Sequence, residues 1–281
     1  MSNKVLKNNE LSFEKSGQFD LNFLSEFAHT INVSDNILLD LDVRQFSDKK
    51  VTINVGKNSV CNVRLFIDNG EKTFNLQAFC SDYAVFNLYF ADFSKDNSLV
   101  NIETNLKGLE SKADIKYSVI SSDLNLKKYN ILINHLNDKT NSNFEGYGVA
   151  TKNSEIYSNC VTHIFEKCIK SEAHQISKII LFDEQSKAHA DPILRIDCDD
   201  VVASHGVAIG ALNESHIFYL KSRGLTDEEA RRLIVIGYLL PIKNYFGEED
   251  ASKIANHIGG DFNVWCFKSK KRFPYVRWNK N

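Results

Sequence analysis

Apolar and polar positions alternate through much of the chain up to Asp200. Val51, Ile53 and Val55 flank Thr52 and Asn54, and similar alternation runs through Leu39–Val43, Val63–Ile67, Phe74–Phe79, Val85–Phe90 and Ile131–Leu136. A period of two places successive side chains on opposite faces, so these runs predict short, half-buried strands. Between them lie Gly56-Lys-Asn-Ser, Asp68-Asn-Gly, Asp96-Asn-Ser and Asn137-Asp-Lys. Asn, Asp and Gly tolerate left-handed backbone, so these clusters predict turns. The first of the three prolines is Pro192, so none interrupts the strands before it. Many short strands with polar turns imply a sandwich, a barrel or a solenoid. The run of strands and Asn-rich turns from residue 31 to Asp200, without a helical pattern, favours the solenoid. So do the helices that follow, since an open solenoid needs a cap. The sequence has no strict period.

The ends of the chain read differently. Leu21, Leu24 and Phe27 fit a short helix or an irregular lead-in. Ile193–Asp200 reads as an acidic strand, with Arg195, Asp197 and Asp199 on a solvated face and Leu194, Ile196 and Cys198 on a buried one. A helix is predicted from Asn213, a suitable N-cap, to Gly224, a suitable C′ residue. Thr226-Asp-Glu-Glu229 is a capping box that opens a second helix, ended or kinked at Pro241. A third is expected over Glu248–His257, stopped by Gly259-Gly260. The expected organisation is a lead-in (1–30), a strand core (31–210), a helical lobe (211–260) and a basic, aromatic tail (261–281).

Composition narrows the class. The 281 residues are 43% hydrophobic and 25% charged, as in globular proteins, and the formal charge of -2 argues against bulk nucleic acid as partner. The N-terminal MSNKVLKNNELSFEK lacks the apolar core of a secretory signal. The longest apolar run, Leu233–Ile242, is short of the roughly 20 residues that span a bilayer. A cytoplasmic location without membrane association is expected. The six cysteines are dispersed with no CxxC pair, so reduced thiols are expected.

Candidate chemistry is sparse. His205 lies between Ser204 and Gly206, read as a corner after a strand, where an imidazole could bind a metal, shuttle protons or simply hydrogen-bond. Cys160-x2-His163-x4-Cys168 supplies three ligands and lacks the fourth of a closed zinc site. The tail holds Lys268, Lys270, Lys271 and Arg272 beside Phe273, Tyr275 and Trp278, a set that could contact phosphates and bases or dock a partner. No glycine-rich phosphate loop, GxSxG elbow or HExxH occurs.

One block carries a resemblance. Pro192–Ile196, Asp199-Asp200-Val201, Ser204-His205-Gly206, Ile209-Gly210, Ile217-Phe-Tyr-Leu-Lys-Ser-Arg-Gly224 and Glu229-Ala230 together resemble the SufB/SufD family of iron–sulfur cluster assembly scaffolds. Ser171-Glu-Ala-His-Gln175 and Ile179–Phe182 also fit, and the Ser-His-Gly and Phe-Tyr-Leu-x-Ser-Arg-Gly segments are similar to SufD-like members. The resemblance implies a right-handed parallel β-helix with a C-terminal α-helical lobe. It implies a non-enzymatic scaffold that pairs with a SufB-like subunit through the solenoid ends and docks a SufC-like ABC-type ATPase through the lobe. It implies a transient iron–sulfur cluster at the subunit interface, with His205 as the iron-facing residue on this side. Phe218, Tyr219, Arg223, Gly224 and Glu229 are the expected partner-docking positions. Ala203 stands where some SufD-like members carry a cysteine, and the family's N-terminal helical lobe is expected to be reduced to about the first 30 residues. Three other readings compete: a self-pairing scaffold of the same family, a carbohydrate-active enzyme on a β-solenoid, and a nucleic-acid binder that uses the tail.

Overall fold

The computed structural model describes residues 4–7, 10–22, 29–45, 50–70 and 72–261. Among the described residues, seventeen strands precede three α-helices. The early strands are β1 (Lys4–Lys7), β2 (Glu10–Phe13), β3 (Gly17–Asn22), β4 (Thr30–Val33), β5 (Leu38–Gln45) and β6 (Lys50–Val55). Then come β7 (Val60–Ile67), β8 (Lys72–Cys80), β9 (Val85–Asp92), β10 (Ser98–Leu106), β11 (Lys112–Ser121) and β12 (Leu126–His135). The last are β13 (Asn141–Ala150), β14 (Glu155–Ile164), β15 (Ser171–Leu181), β16 (Lys187–Ile196) and β17 (Val201–Ala211). Successive strands alternate between two sheets, ordered β1-β2-β4-β6-β8-β10-β12-β14-β16 and β17-β15-β13-β11-β9-β7-β5-β3. Apart from the antiparallel β1–β2 pair, the described pairings are parallel. The chain is therefore a β-solenoid, as the resemblance implied and as the long run of strands with a helical cap favoured.

Side-chain ladders measure each coil. Asn54 donates to Asn32, 22 residues back; Asn101 to Asn75, 26 back; Asn130 to Asn101, 29 back; and Asn141 to Glu172, 31 residues on. The coil lengthens along the chain, which is why no fixed period is visible in the sequence. One corner repeats a left-handed residue at Asn36, Asn58, Tyr83, Glu110, Lys139 and Lys170, with φ between 53° and 59°. The N–H of each donates to a carbonyl of the next coil over 2.6–3.1 Å, from Asn36 to Lys57 O through Lys170 to Asp200 O. Stacked corners satisfy the backbone groups that a turn leaves unpaired.

The core fills the lumen between the sheets, where every second residue of each strand points. Phe90, Tyr117 and Tyr129 stack there with ring centroids 4.9–5.4 Å apart. The Tyr117 ring needs Gly146 on the neighbouring strand, because a Cβ at Gly146 would lie 2.5 Å from Tyr117 Cζ. A buried ion pair, Lys127 with Asp92, shares the interior, and Asp92 also accepts from Tyr129 Oη at 2.8 Å and Ser94 Oγ at 2.8 Å. Burial pushes the Lys127 ammonium pKa down against the pull of Asp92.

The helices cover the outer face of the second sheet. α1 (Glu214–Ser222) is capped by Asn213, α2 (Asp227–Leu239) by the Thr226/Glu229 box, and Gly224 has φ 96°. Pro241 falls in a 3-10 turn, Leu240–Tyr245, and α3 spans Glu248–Asn256. Ile217, Ala230, Val235, Leu239 and Ile242 form one cluster with Ala91, Phe93, Ile120, Val149 and Ile180.

Several expectations need correction. Leu21 lies in β3, not in a helix, because its alternation with Phe19 serves the lumen; Leu24 and Phe27 lie outside the described residues. The acidic strand ends at Ile196, and Asp199 and Asp200 sit in the turn before β17. Gly259-Gly260 does not stop the helix, which continues as a π turn over His257–Asp261. The basic tail from 262 onward lies outside the described residues.

Candidate functional site

His205 is not at a corner. It sits in the middle of β17, paired with Gln175 of β15. That register continues one inward-facing column: Phe19, Leu41, Val63, Leu88, Ile115, Phe144, Gln175 and His205. The column is apolar until its last two members. Ile115 and Phe144 are fully buried, Gln175 is 1% exposed, and His205 is exposed.

The exposure follows from topology. β16 and β17 are the edge strands of the two sheets, so the lumen is open above them among the described residues. The inward side chains there are small or apolar: Ala188, Ala190, Pro192 and Leu194 on β16, and Ala203, Val207 and Ile209 on β17. Ile193, Ile196, Val202, Val207 and Ile209 are 38–57% exposed. Unpaired strand edges bearing exposed apolar side chains are templates for another chain.

His205 Nδ1 lies 3.0 Å from the carbonyl oxygen of Pro192. A carbonyl only accepts, so Nδ1 carries the proton and a neutral ring keeps Nε2 bare as a ligand or proton acceptor. Below it, Gln175 Nε2 donates to Thr162 Oγ1 at 2.6 Å and to the Ile193 carbonyl at 3.3 Å, while its buried Oε1 has no partner among the described residues. Sequence reasoning missed Gln175 and Thr162. The signal was their parity, a polar residue at an inward position of an alternating strand.

The other candidates are scattered around this end. His163 Nε2 meets Asp197 Oδ2 at 2.7 Å, and His174 Nδ1 meets Ser204 Oγ at 2.7 Å. Cys160 is buried in the lumen, and Cys168 Sγ donates to the His135 carbonyl at 3.2 Å, so the Cys-His-Cys set does not converge. Burial pushes the Cys160 and Cys168 thiols up. Cys198 is half-buried at the rim with Cys168 and Ala173, not in the core, because the strand ends before it. Among the described residues no group of three or more His, Cys, Asp or Glu could hold a metal ion, so no cage of ligands surrounds His205.

On the lobe, Phe218 and Tyr219 are 75% and 57% exposed, and the Arg223 guanidinium lies 5.3 Å from the Tyr219 ring centroid. Gly224 and Glu229 have local duties: the left-handed C′ position and the capping box.

These features define a class, the parallel β-solenoids with a helical lobe and an open, histidine-bearing end. A family model described as SUF system FeS cluster assembly, SufBD core domain, matches residues 26–238, and the chain belongs to that family. It is 31% identical to the iron–sulfur cluster assembly protein SufD of Bacillus subtilis over 150 residues, 53% of this chain and 34% of that protein. It is 25% identical to SufD of Escherichia coli over 101 residues, 36% of this chain and 24% of that protein. SufB of Bacillus subtilis is 24% identical over 107 residues, 38% of this chain and 23% of that protein. The matched stretches thus cover about a third or less of these relatives. No helix among the described residues is long and apolar enough to cross a membrane.

Proposed function

We propose that this protein is a SufD-like scaffold subunit of a cytoplasmic SUF complex. It pairs with a SufB-like subunit through β16 and β17, docks a SufC-like ATPase through the lobe, and itself turns over no substrate. The observation that carries this reading is the open solenoid end, where two unpaired strand edges surround an apolar lumen and His205 stands among it. A SufB-like strand pair would extend both sheets. His205 Nε2 would then face the partner inside a dry, closed lumen, where imidazole suits iron and a partner thiolate would supply the softer ligand. The iron–sulfur cluster is cargo here, held between two chains and passed on.

The lobe supplies the drive. β17 ends at Ala211 and α1 begins at Glu214, so a displacement of α1 acts on the strand that carries His205. Phe218, Tyr219 and Arg223 form the exposed ATPase-facing patch, a rigid-body switch in kind.

The test is His205→Ala in a co-expressed complex. The variant should still co-purify with a SufB-like subunit and an ABC-type ATPase while cluster formation, followed by visible absorption, is lost. Full cluster formation would remove His205 from the mechanism. Failure of the wild-type chain to co-purify with either partner, with a dimer of this chain alone on sizing, would replace the heteromeric reading with the self-pairing scaffold.

A further inference from the structure

A second site lies away from the open end, in the joint between the solenoid and the lobe. Lys116, Glu145, Tyr147 and Lys178 from the outer face of the second sheet meet Tyr238 and Tyr245 from the lobe around a cleft of about 260 Å³. The register places Lys116 beside Glu145, and Tyr147 beside Lys178, on neighbouring strands.

Two lysines and one carboxylate, Glu145, line the cleft. Lys116 Nζ is 2.7 Å from Glu145 and 3.6 Å from Asp114, so its charge is matched. Lys178 makes no ion pair among the described residues; its recorded contact is the Tyr147 ring, whose centroid is 5.9 Å from Nζ. It is half-buried. The walls are aromatic and braced: Tyr245 stacks on Tyr89 with centroids 4.2 Å apart, and Tyr147 meets Tyr238 edge-on at 6.0 Å. Ligand clefts favour such joints, with apolar or aromatic walls and few placed polar groups.

We propose that this cleft binds a small aromatic anion, a single ring bearing a phosphate or carboxylate. The anionic group pairs with Lys178, and the ring lies against Tyr147, Tyr238 and Tyr245. A water occupies about 30 Å³ of liquid, so the cleft has room for roughly nine waters, comparable to one substituted ring. Lodged there, the ligand touches both solenoid and lobe.

Isothermal titration of the full chain with phenyl phosphate, benzoate and inorganic phosphate tests the proposal. Phenyl phosphate should saturate one site and bind at least about tenfold more tightly than inorganic phosphate, since only it engages the aromatic walls. Lys178→Met should weaken phenyl phosphate by at least about tenfold, the loss of one charge-assisted contact. Tyr238→Leu should weaken phenyl phosphate while leaving inorganic phosphate unchanged; circular dichroism confirms that both variants fold. Absence of saturable phenyl phosphate and benzoate binding overturns the proposal. So does equal affinity for inorganic phosphate, or binding indifferent to Lys178→Met.

Discussion

The Nδ1–H of His205 donates to the carbonyl oxygen of Pro192 across 3.0 Å, a bond between the two edge strands of the solenoid. Pro192 lacks an N–H, and an edge strand is where a sheet tolerates proline. Its carbonyl sets the imidazole tautomer and leaves Nε2 free toward the open lumen. In nitrogen-15 correlation spectra the neutral His205 ring should carry its proton on Nδ1. A neutral ring protonated on Nε2 would contradict its use as a ligand through that atom.

Gly146 and Tyr117 are locked by shape. A methyl at 146 would meet the Tyr117 ring and its hydroxyl at 2.5–2.8 Å inside the lumen. Gly146→Ala should destabilise the chain by about 1–3 kcal/mol in urea unfolding, the usual cost of overpacking. In the Tyr117→Leu background the same substitution should cost much less; equal costs would show that the ring is not the obstacle.

Lys127 and Asp92 are both fully buried. Removing one partner strands the other charge, so Lys127→Met should cost about 3–5 kcal/mol. Adding Asp92→Asn should recover a large part of that loss. If Lys127→Met is nearly neutral, Asp92 is held by Tyr129 and Ser94 alone.

His135 is buried between Thr140 Oγ1 at 2.7 Å and Ser142 Oγ at 2.8 Å, and burial lowers its pKa to about 4. The unfolded chain takes up this proton near pH 6.5 and the folded chain only near 4, so stability falls as pH drops through that window. Between pH 7 and 5 this group should remove roughly 2 kcal/mol. A His135→Gln variant should show a correspondingly shallower pH dependence; an unchanged slope would assign the loss to other groups.

The stacked corner explains what could be read in advance. Of its six left-handed residues, Asn36 and Asn58 belong to types that tolerate that backbone, whereas Tyr83, Glu110, Lys139 and Lys170 do not announce it. There the neighbouring coil holds the conformation through its hydrogen bonds, which are non-local. The lengthening coil hid the repeat for the same reason.

Alternation alone determined strands, turns and a lumen face, because side-chain parity is a local property of extended backbone. Capping chemistry likewise determined α1 and α2, since Asn213, Thr226, Glu229 and Gly224 act within their own turns. Only the tertiary structure decided where His205 stands. The sequence around it reads as a corner, yet pairing with Gln175 draws it into mid-strand and turns it inward. Its bond to Pro192, 13 residues away, and the buried Gln175 beneath it exist because parallel coils stack residues distant in sequence, a register that no local pattern encodes.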